Sequence, residues 1–295
     1  ASTDGSIAFA VRTTARRAGQ AVKKAAKKAG RMQASPVPAE PQPIDAKAER
    51  RRRLLASNLT ELAIEFRTDK WGVHKYTPHY ERHLQHLRGE SFTLLELGIG
   101  GYKKRRKSGA SMKMWRWFFP KARIVGLDIE DKSWLTRGHI HTYLGDQTDP
   151  EVLHRIIDEQ GAPLVVIDDG SHIPAHVRES FRILFPLLPD GAIYCIEDTQ
   201  TSYWPAWGGQ LDPRAPGTSM DLVKDLVDGL NHEEFLVEGY EPTYTDQWVR
   251  AVHCYHNLVI IEKGDNREGT NRDKVAHELY GASELPDDPS DPDDA

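Results

Sequence analysis

Five short apolar runs, at 92–97, 122–127, 140–144, 164–167 and 192–196, alternate with longer segments of helical character at 112–119, 151–159 and 175–188. Runs of this length without polar alternation are strands covered on both faces, and their alternation with helices is the pattern of a parallel sheet joined by right-handed crossovers. Two further β-rich runs, 248–255 and 258–262, are nearly contiguous and read as a hairpin that adds antiparallel pairing at a sheet edge. The expected fold is α/β: a doubly wound, mostly parallel, Rossmann-like sheet of seven strands with an antiparallel carboxy-terminal hairpin.

The chain has 295 residues, enough for one such domain plus extensions. Residues 12–31 carry eight basic side chains and no acid, and Pro36, Pro38, Pro41 and Pro43 follow, so 1–47 reads as a basic, flexible extension with a proline-rich linker. Six acids and three prolines in 284–295 give an acidic tail from 283 onward. The folded domain is expected at 48–282, with no internal repeat. A net charge of −5 gives no global reason to expect nucleic acid as a partner. No apolar stretch reaches eighteen residues, so no membrane span is expected. Cys195 and Cys254 make no disulfide framework, and His253-Cys254-Tyr255-His256 lacks the second ligand pair of a structural zinc site. A cytoplasmic location is the expectation, with assembly as a homo-oligomer.

In an open α/β sheet, ligands bind beyond the carboxyl ends of the strands. The first such loop, Glu96-Leu97-Gly98-Ile99-Gly100-Gly101, has glycines spaced to let backbone approach a ligand, but Lys103 stands where a dinucleotide fingerprint needs a third glycine. An acid at Glu96 suits an amine-bearing ligand better than a pyrophosphate, and S-adenosylmethionine carries an amino group and a sulfonium. Asp128 ends the second run, where a carboxylate can accept both hydroxyls of a ribose. Asp146 and Gln147 follow the third, where they can bond an adenine edge. Glu96, Gly98, Gly100, Asp128, Asp146 and Gln147 are therefore the candidate cofactor contacts.

The fourth run leads into Asp168-Asp169-Gly170-Ser171-His172 and the fifth into Glu197-Asp198. Adjacent loops would bring four carboxylates and an imidazole together, which is repulsive without a counter-charge. A divalent cation removes the conflict, and hard oxygen ligands favour Mg2+, with Mn2+ or Ca2+ as substitutes, over zinc. His172, with an unperturbed pKa of about 6.5, suits a general base beside such a site. Asp168 could orient His172 or support the cofactor. The blander reading has Asp168 and Asp198 capping helices and His172 in a turn.

The motifs Ile167-Asp168-Asp169-Gly170-Ser171-His172 and Ile196-Glu197-Asp198-Thr199-Gln200-Thr201-Ser202-Tyr203-Trp204 resemble the bacterial class I sugar O-methyltransferases of natural-product pathways, the macrocin and mycinamicin VI group. Thr68-Asp69-Lys70-Trp71-Gly72, with His74, Tyr76 and Tyr80 behind it, resembles the segment before the catalytic domain in that group. The resemblance spans residues 66–262. It implies a magnesium site at Asp169, Glu197 and Asp198, with His172 as the base toward a sugar hydroxyl and S-adenosylmethionine as methyl donor. Tyr203, Trp204 and Trp207 beside Gly208 and Gly209 fit a wall for a glycoside or saccharide substrate, or a packed lid. The basic run 103–107 reads as a solvated loop or a contact for an acidic substrate. Two other readings stay open: a catechol-type O-methyltransferase, and a nucleotide-binding protein without chemistry.

Overall fold

The computed structural model describes residues 45–101 and 108–272. Residues 1–44 of the basic extension and proline-rich linker, the run 103–107 and the acidic tail lie outside the described residues. The chain divides into the units Ala1–Glu49 and Arg50–Ala295, and apart from the helix start at Ala46–Glu49 the elements described below belong to the second.

Three helices precede the sheet: α1 (Ala46–Ala56), α2 (Leu59–Phe66) and α3 (Thr77–Leu84). A capping box between Asn58 and Glu61 starts α2 by satisfying orphan backbone donors, and Arg67, at φ 60°, ends it in the left-handed region. The sheet then runs β1 (Thr93–Leu97), β2 (Arg123–Asp128), β3 (Ile140–Leu144), β4 (Val165–Asp168), β5 (Ile193–Glu197), β6 (Val249–Tyr255) and β7 (Leu258–Lys263). Between them lie α4 (Ala110–Phe118), α5 (Pro150–Gln160), α6 (Pro174–Leu184), α7 (Ser219–Gly229) and α8 (Tyr244–Trp248). The strand order is β3-β2-β1-β4-β5-β7-β6, parallel through the first five, with β7 antiparallel to β5 and to the edge strand β6. The order reverses between β1 and β4, which puts the ligand crevice beside the carboxyl ends of those two strands. This is the seven-stranded, doubly wound arrangement expected, hairpin included.

Four of the first five strands begin one residue later than the apolar runs, and three of those four end in an acid. Asp128 pairs with Leu144, Asp168 with Leu97, and Glu197 with Leu258, so these carboxylates stay in the hydrogen-bonded ladder where hydropathy alone ends the strand. The structure also adds α1 to α3, α7 and α8, whose patterns had been assigned to no element.

Strand parity separates two cores. Leu94, Val165, Ile167, Ile193 and Cys195 pack under α1 to α4 with Leu54, Leu62, Tyr76, Tyr80, Trp115 and Phe118. Leu95, Leu97, Val166, Tyr194 and Ile196 face α5, α6 and α7 through Leu153, Ile156, Val177, Phe181 and Val223. Each buried large side chain of this kind contributes roughly 1.5–3 kcal/mol. The same parity aims the polar strand-end residues. Glu96 and Glu197 fall on the first face and Asp168 on the second. No helix of the described residues is long and apolar enough to cross a membrane.

Candidate active site

Glu96 and Glu197 point into the α1–α4 core, where a lysine meets them. Nζ of Lys70 donates to Oδ2 of Asp169 at 2.7 Å and to Oε1 of Glu197 at 2.6 Å, and lies 3.6 Å from Oε1 of Glu96. Glu96 also accepts from Ser111 Oγ at 2.9 Å and Trp115 Nε1 at 3.2 Å. Tyr80 donates its hydroxyl to Glu197 Oε1. All of these except Asp169 are deeply buried. Burial opposes the charge on Lys70, but Asp169, Glu197, Glu96 and Asp69 surround it and hold it protonated. Burial drives Glu96 up to about 7 against the pull of Lys70. Burial also raises Glu197, reinforced by Asp169 and opposed by Lys70.

On the solvent side of this cluster, Nε2 of His172 lies 3.6 Å from Oδ2 of Asp198 and 3.9 Å from Oδ1 of Asp169. The three side chains each offer a ligand atom within 4.8 Å of the others, an arrangement able to hold a metal ion. Glu197 is not in that triple, and its Oε1 accepts from both Lys70 and Tyr80. Asp198 is fixed from behind: Tyr76 donates to its Oδ1 at 2.7 Å and to the carbonyl of Asn257, in the β6–β7 turn, at 3.0 Å. His74 Nε2 is 3.6 Å from the same Oδ1. Burial alone would raise the Asp198 carboxyl, but the Tyr76 hydrogen bond, His172 and His74 hold it below the usual range. His172 and Asp198 both adopt positive φ, at 56° and 55°. Left-handed backbone at two non-glycine residues of one cluster is costly and persists only where the surroundings impose it.

Asp168 takes the other path. It accepts from Ser180 Oγ at 2.7 Å, Tyr194 OH at 3.2 Å and Gln147 Nε2 at 3.1 Å, and no hydrogen bond joins it to His172. Gln147 in turn accepts from the Ser171 N–H at 2.7 Å, so Asp168 steadies the loop that carries His172 through Gln147. Asp128 accepts from the N–H groups of Ile99 and Gly100 through Oδ2 and from Glu130 through Oδ1, which organises the glycine loop itself. Asp146 accepts from Thr148 and is exposed. Gly98, at φ 87°, is a close approach: a Cβ there would fall 2.1 Å from the carbonyl oxygen of Asp169. Two cavities open at this end of the sheet. One, of about 140 Å³, is lined by Gly98, Asp128, Asp146, Gln147 and Ser171, and the other, of about 350 Å³, by Thr68, Gly100, Ser111, Asp169 and His172. Gly170 lines both.

No family model matches the chain. It is 48% identical over 215 residues to demethylmacrocin O-methyltransferase of Streptomyces fradiae, a match covering 72% of this chain and 54% of the relative. It is 46% identical over 215 residues to mycinamicin VI 2''-O-methyltransferase of Micromonospora griseorubida, with the same coverage. Among solved structures, the MycE methyltransferase of the mycinamycin biosynthetic pathway, in complex with Mg and SAH, superposes with a TM-score of 0.70 at 46% identity, covering 72% of this chain and 56% of that one. Over this region the chain is similar in sequence and fold to sugar O-methyltransferases. The chain spans about half the length of the curated relatives it matches.

The donor chemistry of the cluster can be tested against magnesium. Glu96, Asp169, Glu197 and Asp198 carry four negative charges when ionised and Lys70 one positive, which leaves a net negative charge. Lys70 neutralises the buried side, while Asp169 Oδ1 and Asp198 Oδ2 face His172. Hard carboxylate oxygens with a residual negative charge fit a magnesium ion. Tyr203, Trp204 and Trp207 are exposed at 39%, 48% and 43%, more than expected of core aromatics, and the Trp207 ring lies 6.1 Å from that of His172. Lys70, Tyr76 and Tyr80 lie in the segment that carries the resemblance, which by itself gives them no role. The signal for them was charge balance: a buried cation was as good an answer to the crowded carboxylates as a metal, and the structure provides it.

Proposed function

We propose that this chain transfers the methyl group of S-adenosylmethionine to a hydroxyl on the sugar of a glycosylated natural product, glycolipid or saccharide, with magnesium present. The observation that carries this reading is the convergence of Asp169 Oδ1 and Asp198 Oδ2 on Nε2 of His172, beside a cavity that Gly98, Asp128 and Gln147 line. Asp169 and Asp198 would hold the ion directly, and Glu197 through Oε2, the oxygen that Lys70 and Tyr80 leave. Bound there, magnesium supplies a positive charge that aligns neighbouring sugar oxygens and stabilises developing alkoxide charge.

The remaining work falls to the protein. His172 accepts the hydroxyl proton at Nε2, since a nitrogen is a poor ligand for magnesium and is thus left for base chemistry. Asp169 and Asp198 then stabilise the imidazolium. Gly98, Asp128, Asp146 and Gln147 shape the cofactor's cavity, while Gly100 lines the adjoining one together with Ser111, which donates to Glu96. Tyr203, Trp204 and Trp207 present aromatic faces to the sugar. Positioning and electrostatics carry most of the rate enhancement in this scheme. We place the chain in the cytoplasm as a homo-oligomer.

The test is methyl transfer from labelled S-adenosylmethionine to rhamnosylated or olivosylated acceptors and to catechols, with magnesium and with chelator. Magnesium-dependent labelling of the glycosides supports the reading. Transfer to catechols alone overturns the substrate class, and absence of S-adenosylmethionine binding by calorimetry overturns the enzyme.

A further inference from the structure

At the antiparallel edge of the sheet, on the face covered by α3, stands a second group of metal-ligating side chains. His253 on β6 and Glu262 on β7 point to the same face, because Ala251 pairs with Glu262 and His253 with Ile260, one pleat apart. His83 reaches them from α3, with His79 one turn earlier stacked on Tyr255 at 3.8 Å. We infer that His83, His253 and Glu262 form a zinc-binding site that clips α3 to the β6–β7 hairpin.

The geometry suits zinc in three respects. Oε1 of Glu262 lies 3.0 Å from Nε2 of His253 and 3.7 Å from Nδ1 of His83. Tetrahedral zinc, with bonds near 2.0–2.1 Å, sets its ligand atoms about 3.3 Å apart, a value that these two separations bracket. The ligand set of two imidazoles and a carboxylate is borderline-soft and favours zinc over magnesium, in contrast to the Asp169–Asp198 site. The supporting contacts are also in place. Nε2 of His83 lies 2.8 Å from the Tyr255 hydroxyl, and in the tautomer with the proton on Nε2 it donates to Tyr255 and turns the Nδ1 lone pair to Glu262. Arg250 binds the other carboxylate oxygen, Oε2, at 3.3 Å, which orients Oε1 inward. His253 coordinates after its ring proton shifts from Nε2, where it bonds Glu262, to Nδ1. With a 35% exposed side chain, His253 leaves the site open to solvent for metal entry and for a water as fourth ligand.

The clip has a consequence for the reaction centre. α3 carries Tyr80, which holds Glu197, and the hairpin turn carries the Asn257 carbonyl that accepts from Tyr76. Joining the two elements by metal fixes the frame behind both Glu197 and Asp198.

Zinc calorimetry on the full chain, stripped with chelator and then held in excess magnesium, tests the site. The expected result is one zinc per chain in the wild type and in His172→Asn, lost in His83→Asn and His253→Asn, and about ten- to hundredfold weaker in Tyr255→Phe. Cobalt substitution should give the intense visible absorption of a tetrahedral ion in wild type but not in His253→Asn. Because His253 is partly exposed, its replacement leaves the fold intact by circular dichroism even if the His83 variant is unstable. Wild-type zinc affinity in His253→Asn overturns the site, as does the absence of zinc binding in the wild type.

Discussion

Nζ of Lys70 lies 2.6 Å from Oε1 of Glu197, and neither side chain is more than 3% exposed. A single buried cation thereby neutralises the inner edge of a carboxylate cluster whose outer edge, at Asp169 Oδ1 and Asp198 Oδ2, is left negative. The division of labour is electrostatic. Lys70 sets the charge that remains for a metal.

Replacing Lys70 by Met keeps much of the side chain's volume and removes its charge. Three carboxylates then lose their common partner in a dry site, and breaking a buried pair from one side costs about 3–5 kcal/mol. Urea unfolding near neutral pH should show a loss of that size. A loss under 1 kcal/mol would mean that Lys70 does not carry the charge balance described.

The pH dependence follows from Glu96. Its folded-state pKa is raised from 4.5 to about 7 by burial, so the folded protein holds this proton after the unfolded chain has released it. Stability is then highest below about pH 4.5 for this group and falls as pH rises toward about 7, by about 3 kcal/mol at most. Urea midpoints measured across this window should decline in wild type, and Glu96→Gln should flatten the decline. An identical slope in the variant would remove Glu96 as its source.

The sheet was legible because hydropathy runs and strand-end acids are local, and one edge hairpin follows from two adjoining runs. Strand parity was legible as well: Glu96 shares its face with Leu94, and Glu197 with Ile193 and Cys195, which alone sends both into the α1–α4 core. What parity does not reveal is what waits there. Lys70 meets Glu197 across 127 residues of chain, and Tyr76 meets Asp198 across 122, in a segment with no strand or long helix to mark it. Asp168 shows the reverse case. Proximity to His172 in sequence suggested a direct partnership, whereas parity turns it to Ser180, Tyr194 and Gln147.

His172 at φ 56° calls for a replacement that tolerates left-handed backbone, and asparagine does so better than alanine. His172→Asn removes the base at little conformational cost. Turnover should fall by about 10²–10⁴ while S-adenosylmethionine and magnesium affinities stay near wild type. Turnover near wild type would show that the proton leaves by another route.

Asp198, at φ 55°, combines ligand chemistry with backbone strain, and three substitutions separate the two. Asp198→Asn keeps a side chain tolerant of this conformation and a hydrogen-bond acceptor for Tyr76, so it should melt near wild type yet bind magnesium more weakly. Asp198→Gly relieves the strain but loses the acceptor, leaving the Tyr76 hydroxyl bonded only to Asn257. Asp198→Ala loses the acceptor and keeps the strain, and should be the least stable of the three by about 1–2 kcal/mol relative to glycine. Thermal melts rank the backbone effect and magnesium calorimetry ranks the charge effect. If all three bind magnesium as wild type does, Asp198 is a support for the turn and not a ligand.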